Sequence, residues 1–353
     1  MIQQVKFDNA NALFSKKLKL KTNEYFKLHN KNKTGDKRLF LKTAIILLLF
    51  ISIYLLLVFT NLFWPIKIIL CIIMGFNLAA IGFNIMHDAG HNSFSENKRL
   101  NSIFSYSLNL LGGNIYFWKL KHNIAHHTFT NIEGHDHDIE IKFMRVHHDQ
   151  DIKEYHKHQP KYFLFLYSIS YIAWIFFQDY EKYFRQRMSK TSQKYTFPLK
   201  EKIIFWVSKS MHLTLFIILP ILVIGFLPAI IGLLISYIIC GLCLAIVFQL
   251  AHVVEETDFK TISDYKVKEE WMIHQLQSTA NFSTNNPVLT WLLGGLNFQV
   301  EHHLFPKISH IHYPALNKIV RETCSEFNIK YHEHSSIIHA FKSHIQVIKA
   351  LAT

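Results

Sequence analysis

Cysteine is scarce in this chain of 353 residues: there are four, which excludes a disulfide scaffold and a Cys-based zinc module. Charge is scarce as well, at 18% of residues against roughly a quarter in an average soluble domain. That shortage argues against an ordinary soluble enzyme. No internal repeat or low-complexity linker divides the sequence, and the polar, Lys-rich residues 1–42 exclude a cleavable signal peptide ahead of the first apolar run. What the chain has instead is apolar surface and imidazole. Half of the residues are hydrophobic, 14% are aromatic, and there are 23 histidines. Any metal chemistry here would therefore rest on imidazole rather than thiolate.

The apolar residues are bunched into near-uncharged runs at 43–63, 66–86, 203–225 and 228–250, each close to the ~20 residues that cross a hydrocarbon core. A turn at Trp64-Pro65 separates the first two and a turn from Gly225 to Pro228 the last two, so they read as two helical hairpins. The second turn carries no Lys or Arg and suits the far side of a membrane. Residues 1–42 hold eleven Lys and Arg against three acids, and 179–202 hold seven against three, which marks the cytoplasmic side. Residues 162–178 are rich in Phe, Tyr and Trp. If they crossed, His87–His127 and His302–His303 would fall on opposite faces, so an aromatic helix lying in the interface is expected. Near the C-terminus, Ile337, Ile338, Phe341, Ile345, Ile348 and Leu351 recur at helical spacing, which predicts an amphipathic packing helix over 336–352.

The histidines fall into clusters. His87-Asp88-Ala89-Gly90-His91 follows the second run directly and places two imidazoles four residues apart, on one face of a continuing helix. His122-Asn123-Ile124-Ala125-His126-His127 repeats that spacing and adds a third ring; on an α-helix, His122 and His126 face one way and His127 another. Gln299-Val300-Glu301-His302-His303 repeats the double His with Gln in the leading place, and His252 ends the fourth run at the membrane level of His87. Eight imidazoles exceed the four a structural zinc needs and fit two ions of four to six ligands each. The expected fold is an all-α integral membrane domain, 43–353, behind the basic cytoplasmic segment 1–42. It has four spans in two hairpins, the interfacial helix, and a His-rich cytoplasmic cap holding a dimetal site.

Other histidines carry less. His135 and His137 alternate with Asp136 and Asp138 in a polar loop, and His147, His148, His156 and His158 lie in a charged loop; both groups read as facing water. His212 lies inside a span and reads as neutral and hydrogen-bonded. Cys240 and Cys243 read as apolar helix residues, and Glu255 and Glu256 as an exposed acidic pair.

With these boxes the chain resembles the membrane fatty acid desaturases. The likeness runs from about 40 to 320 and rests on His-Asp-x-Gly-His at 87–91, His-Asn-x-x-His-His at 122–127 with Asp136-x-Asp138 following, and the run Gly294 to Pro306. Gln299 at the head of the third box points to the front-end group, similar to linoleoyl-CoA desaturase-like, Δ5- and Δ6-type enzymes. The resemblance implies a non-haem di-iron centre that uses O2 to introduce a cis double bond into a long-chain acyl-CoA or acyl-lipid. It also implies His87, His91, His122, His126, His127, His302 and His303 as ligands, with His252 as the extra His of this fold. Gln299 would act through water or behind the ligands, and Asp88 and Asn123 are candidates for orienting imidazoles.

Many front-end relatives carry a fused cytochrome b5 domain with a His-Pro-Gly-Gly motif. That motif is absent here, so electrons are expected from a separate carrier, a cytochrome b5 or ferredoxin with its reductase, docking on the basic cytoplasmic face. No nucleic-acid module accompanies the basic charge. Abundant Lys, Asn, Ile and Phe suggest an AT-rich genome and a bacterial inner membrane. Two competing readings are a fatty acyl or sphingolipid hydroxylase with the same centre and a His-rich membrane metal transporter. A transporter would hold its ligands near the midplane of its spans, whereas these boxes lie at span ends.

Overall fold

The computed structural model describes residues 5–139, 141–188, 194–262 and 266–353. Part of the basic segment 179–202 thus lies outside the described residues. The described chain is mostly helical, with two short parallel strand pairs, Lys6–Phe7 with Lys266–Val267 and Asn281–Phe282 with Glu333–His334. It divides into two compact units, each built from separated segments. One, the terminal unit, comprises 1–35, 121–162 and 247–353; the other, the hairpin unit, comprises 36–120 and 163–246.

The hairpin unit follows from the apolar runs. Helix Lys37–Phe59 starts on Asp36, whose side chain accepts from the Arg38 amide. The helix running Trp64–Gly90 opens with Pro65 in its first turn, where a missing N–H does no harm. A Cβ at Gly75 would meet Ser236 O at 2.6 Å, so the close approach of this helix to Phe226–His252 requires glycine there. Gly225, at φ 87°, ends helix Leu199–Ile224 in a conformation open to glycine and makes the second turn. His212 sits as the sequence suggests, its Nδ1 donating to Leu110 O at 3.0 Å and its Nε2 accepting from the Tyr237 hydroxyl at 2.8 Å.

Among the described residues five helices, not four, are long and apolar enough to cross a membrane. The additional one is Glu154–Arg185, 32 residues, which contains the aromatic stretch 162–178. The helix extends well beyond that stretch into polar residues on both sides. Asp179 is fully buried, and its carboxylate pairs with Lys209 at 3.1 Å, while Lys209 Nζ also donates to the Ile175 carbonyl at 2.8 Å.

In the terminal unit, the basic N-terminal stretch is folded. Helix Leu13–Leu28 buries Phe14 and Leu18 against Met272, Leu276, Val300 and Leu304. The packing helix at the C-terminus is present over Ile337–Ala350; of the expected face Ile348 and Leu351 are buried, Ile337, Phe341 and Ile345 are half-buried, and only Ile338 points out. Ala340, Ser343, His344 and Ile348 are inside and Ile338 is 63% exposed. Polar bonds also hold the helix: His344 Nδ1 donates to Val253 O at 2.7 Å and Ser343 Oγ accepts from the Glu255 amide at 2.9 Å.

Candidate metal centre

Six of the eight predicted ligands belong to the terminal unit and come together there. Three rings come from residues 119–129, where Lys119–His126 is wound as a π-helix before one turn of α-helix. Bonding of i to i+5 brings residues five apart onto nearly the same face. His127 therefore does not point away from His122 as α-helical spacing predicted; their Nε2 atoms are 3.2 Å apart. His252 is the last residue of its helix, and His302 and His303 lie on the short helix Gln299–Leu304. The ligand atoms of His126, His252 and His303 lie within 4.8 Å of one another, as do those of His127, His302 and His303. His303 is common to both triads.

Five of the six rings meet a polar partner at Nδ1. His126 Nδ1 bonds Asp136 at 2.8 Å and His122 Nδ1 bonds Asp138 at 2.9 Å. His302 Nδ1 meets the Tyr313 hydroxyl at 3.0 Å, His303 Nδ1 meets Gln275 Oε1 at 2.9 Å, and His252 Nδ1 donates to Ser278 O at 3.2 Å. A carboxylate or carbonyl at Nδ1 fixes the proton there and leaves the Nε2 lone pair as donor to a metal. His126 Nε2 is buried and has no hydrogen-bond partner among the described residues, which is the signature of a nitrogen that serves an ion. A nitrogen-only donor set of this kind suits iron, zinc, copper and nickel alike.

Electrostatics follow the bracing. Burial alone would raise the Asp138 carboxyl, but Lys121 at 2.7 Å and His122 hold it well below the usual carboxylate range. Burial would likewise raise Asp136, and His126 with the Asn131 amide brings it below its ordinary value. Burial disfavours the His126 imidazolium, yet Asp136 outweighs it and raises the ring. For His122 burial wins over Asp138 and the pKa is lowered, which keeps that ring neutral and able to bind.

The remaining predicted ligands, His87 and His91, belong to the hairpin unit. They end the helix Trp64–Gly90 after a π-helical stretch, Gly82–Met86, and both are buried. Their ring centroids are 4.7 Å apart and each packs edge-on against Trp118, at 5.8 and 5.4 Å.

A family model described as fatty acid desaturase matches residues 62–335. The chain belongs to the fatty acid desaturase family. This desaturase is 34% identical over 344 residues to the sn-1 linoleoyl-lipid 6-desaturase of Arthrospira platensis, with 96% of this chain and 92% of the relative covered. The protein of the same name from Synechocystis sp. is 32% identical, covering 99% and 98%. An acyl-lipid (8-3)-desaturase from the moss Physcomitrium patens is also 32% identical, covering 97% of this chain and 72% of its own length. The resemblance drawn from the three boxes is thus borne out: the protein is a membrane-bound oxidoreductase of lipid metabolism.

The sequence did not single out every residue that shapes this desaturase's centre. Asp136 and Asp138 were part of the pattern after the second box but were given no role, and they carry the bonds to His126 and His122. Of the predicted orienting groups, Asp88 is buried within electrostatic reach of Lys42, its carbonyl accepting from the Ser93 amide, and Asn123 is half-buried. Gln299 Nε2 lies 2.9 Å from His252 Nε2, so it faces the very nitrogen that His252 would offer to an ion. His147 and His156, expected in water, are buried: His147 stacks on Phe259 and His156 Nδ1 accepts from the Lys153 amide. Local contacts of this kind leave no mark on charge or spacing.

Proposed function

We propose that this desaturase introduces a double bond into an acyl chain of a membrane lipid, at two iron ions held by His87, His91, His122, His126, His127, His252, His302 and His303. The lipid carrier is supported by the relatives, whose names give linoleoyl-lipid or acyl-lipid as what they act on. The metal reading is carried by one observation, the two buried imidazole triads that share His303. Bound iron with O2 would supply the oxidising power that an unactivated C–H bond demands and no side chain possesses.

The chain's own part is placement. Asp136, Asp138, Tyr313 and Gln275 orient rings and hold protons at Nδ1, and burial keeps water from the nitrogens opposite. Gln299 stands where other superfamily members lead the box with His and adjusts His252 through its amide. The test is expression in a host without polyunsaturated lipids, fed linoleate, with glycerolipids analysed by mass spectrometry. A new, more unsaturated acid is expected, and the double variant His302→Ala/His303→Ala should remain in the membrane with at least a hundredfold less product and reduced bound iron. Product from the double variant, or a hydroxylated product instead, overturns the reading. With purified protein, turnover should require added cytochrome b5 or ferredoxin with its reductase.

The same proposal places His87 and His252 on one membrane face. That needs an even number of crossings between them, so Glu154–Arg185 lies in the interface while the four hairpin helices span. Reporter fusions at residues 190 and 227 should then report opposite sides. Agreement between them sinks this arrangement.

A further inference from the structure

Within the hairpin unit, a cavity of about 340 Å³ lies toward the two turns, in the volume range of small-molecule pockets, roughly 300–1,000 Å³. All four hairpin helices line it: Tyr54, Met74, Phe216 and Pro228 come one from each. The wall is mostly apolar, with the hydroxyls of Tyr54, Ser236 and Tyr237, and Lys67 is its single charged residue. Across residues 43–87 and 210–252, Lys67 is the sole Lys, Arg, Asp or Glu. It forms no hydrogen bond or ion pair among the described residues. Trp64, one turn earlier on the same helix, is 66% exposed, as is Phe226 at the other turn, the pattern of an aromatic belt at headgroup level. Lys67 precedes His87 by twenty residues on one helix, roughly 30 Å at 1.5 Å per residue. The cationic end of the cavity is therefore remote from that box.

We propose that this cavity holds an acyl chain of an anionic membrane lipid whose headgroup pairs with Lys67, at a site separate from the reaction. The apolar wall matches an alkyl chain, and an ammonium at headgroup level without a protein counter-charge matches a phosphate oxygen. A zwitterionic or neutral lipid would fill the wall equally well but give Lys67 no net counter-charge. Because each hairpin helix contributes to the wall, the bound chain also ties the two hairpins together.

The experiment uses the full chain in detergent micelles, titrated with dioleoyl-phosphatidylglycerol or dioleoyl-phosphatidylcholine and followed by native mass spectrometry and thermal unfolding. One phosphatidylglycerol per chain should bind at least about fivefold more tightly than phosphatidylcholine and raise the melting temperature. Lys67→Gln should reduce its binding to the phosphatidylcholine level, and Ala229→Phe, which fills the cavity, should block both. Equal binding of the two lipids, or a preference that survives Lys67→Gln, would mean annular contact only and overturn the proposal. Lys67-dependent binding of oleate in place of phosphatidylglycerol would overturn it too. If Ala229→Phe fails to fold, Lys67→Gln decides alone. The outcome is independent of which acyl carrier the desaturase uses.

Discussion

The contacts described around the predicted ligands differ between the two units. In the terminal unit His126 leans on a buried carboxylate and His122 on a half-buried one, and His302, His303 and His252 on a phenol, an amide and a carbonyl. In the hairpin unit His87 and His91 lie against the indole of Trp118 at the end of an apolar helix. A polar brace decides which ring nitrogen carries the proton and thereby which one faces an ion. An aromatic brace fixes where the ring sits. The terminal unit thus sets the proposed ligands in a polar interior, and that interior brings a sensitivity to acid and a chain of partners that substitution can break.

The sharpest way to separate metal binding from mere burial of imidazole in the terminal unit is His344, which is buried but is not a proposed ligand. Burial pushes its pKa down to about 4, against the opposing effect of its bond to Val253 O. The folded-state value lies below the ordinary 6.5, so protonation favours the unfolded chain. The stability that comes from keeping this ring neutral is complete above pH 6.5 and is lost as pH falls toward 4. At 1.36 kcal/mol per unit the loss approaches roughly 3 kcal/mol. His344→Asn keeps a donor for Val253 O and removes the titration. Unfolding of the solubilised protein between pH 7.5 and 4.5 should show a shallower decline in the variant. Identical declines would assign the acid limit to the ligand rings instead.

What was legible in the sequence follows the same division. The hairpin helices start and stop within a few residues of the apolar runs, because an uncharged stretch of twenty residues has few alternatives to a membrane helix. The stretch 162–178 was assigned to the interface on membrane parity alone, and nothing in the sequence showed the full helix Glu154–Arg185 or the burial of Asp179 against Lys209 from a distant segment. Seven of the eight histidines were legible as boxes, since spacing survives in a string of letters, and His252 by its place at the end of a run. The π-helical turn that brings His127 to His122 was not: no residue between Lys119 and His126 announces an i to i+5 bond. Nor was the choice between Asp88 and Asp136, two aspartates near His boxes whose roles depend on which distant side chain each meets.

Those two aspartates give the finer test. Asp136 and Asp88 are both buried, at 0% and 1% exposure. Asp136 accepts from the Asn131 amide at 2.9 Å as well as bonding His126, so it fixes both the loop after the second box and the ring. Asp88 lies within reach of the buried Lys42. Asp136→Asn keeps the shape but can present its amide N–H to His126 Nδ1, which shifts the ring proton toward the nitrogen meant for metal. Removing a partner of this kind typically costs 10–100-fold in metal affinity or activity, and iron content and turnover of Asp136→Asn should fall by that amount. Asp88→Asn should leave iron binding within about threefold, its effect appearing instead as a lower melting temperature, since a buried Lys42 loses its counter-charge. If the two variants lose iron alike, Asp88 braces its own box as Asp136 does, and the contrast between a polar and an aromatic bracket collapses.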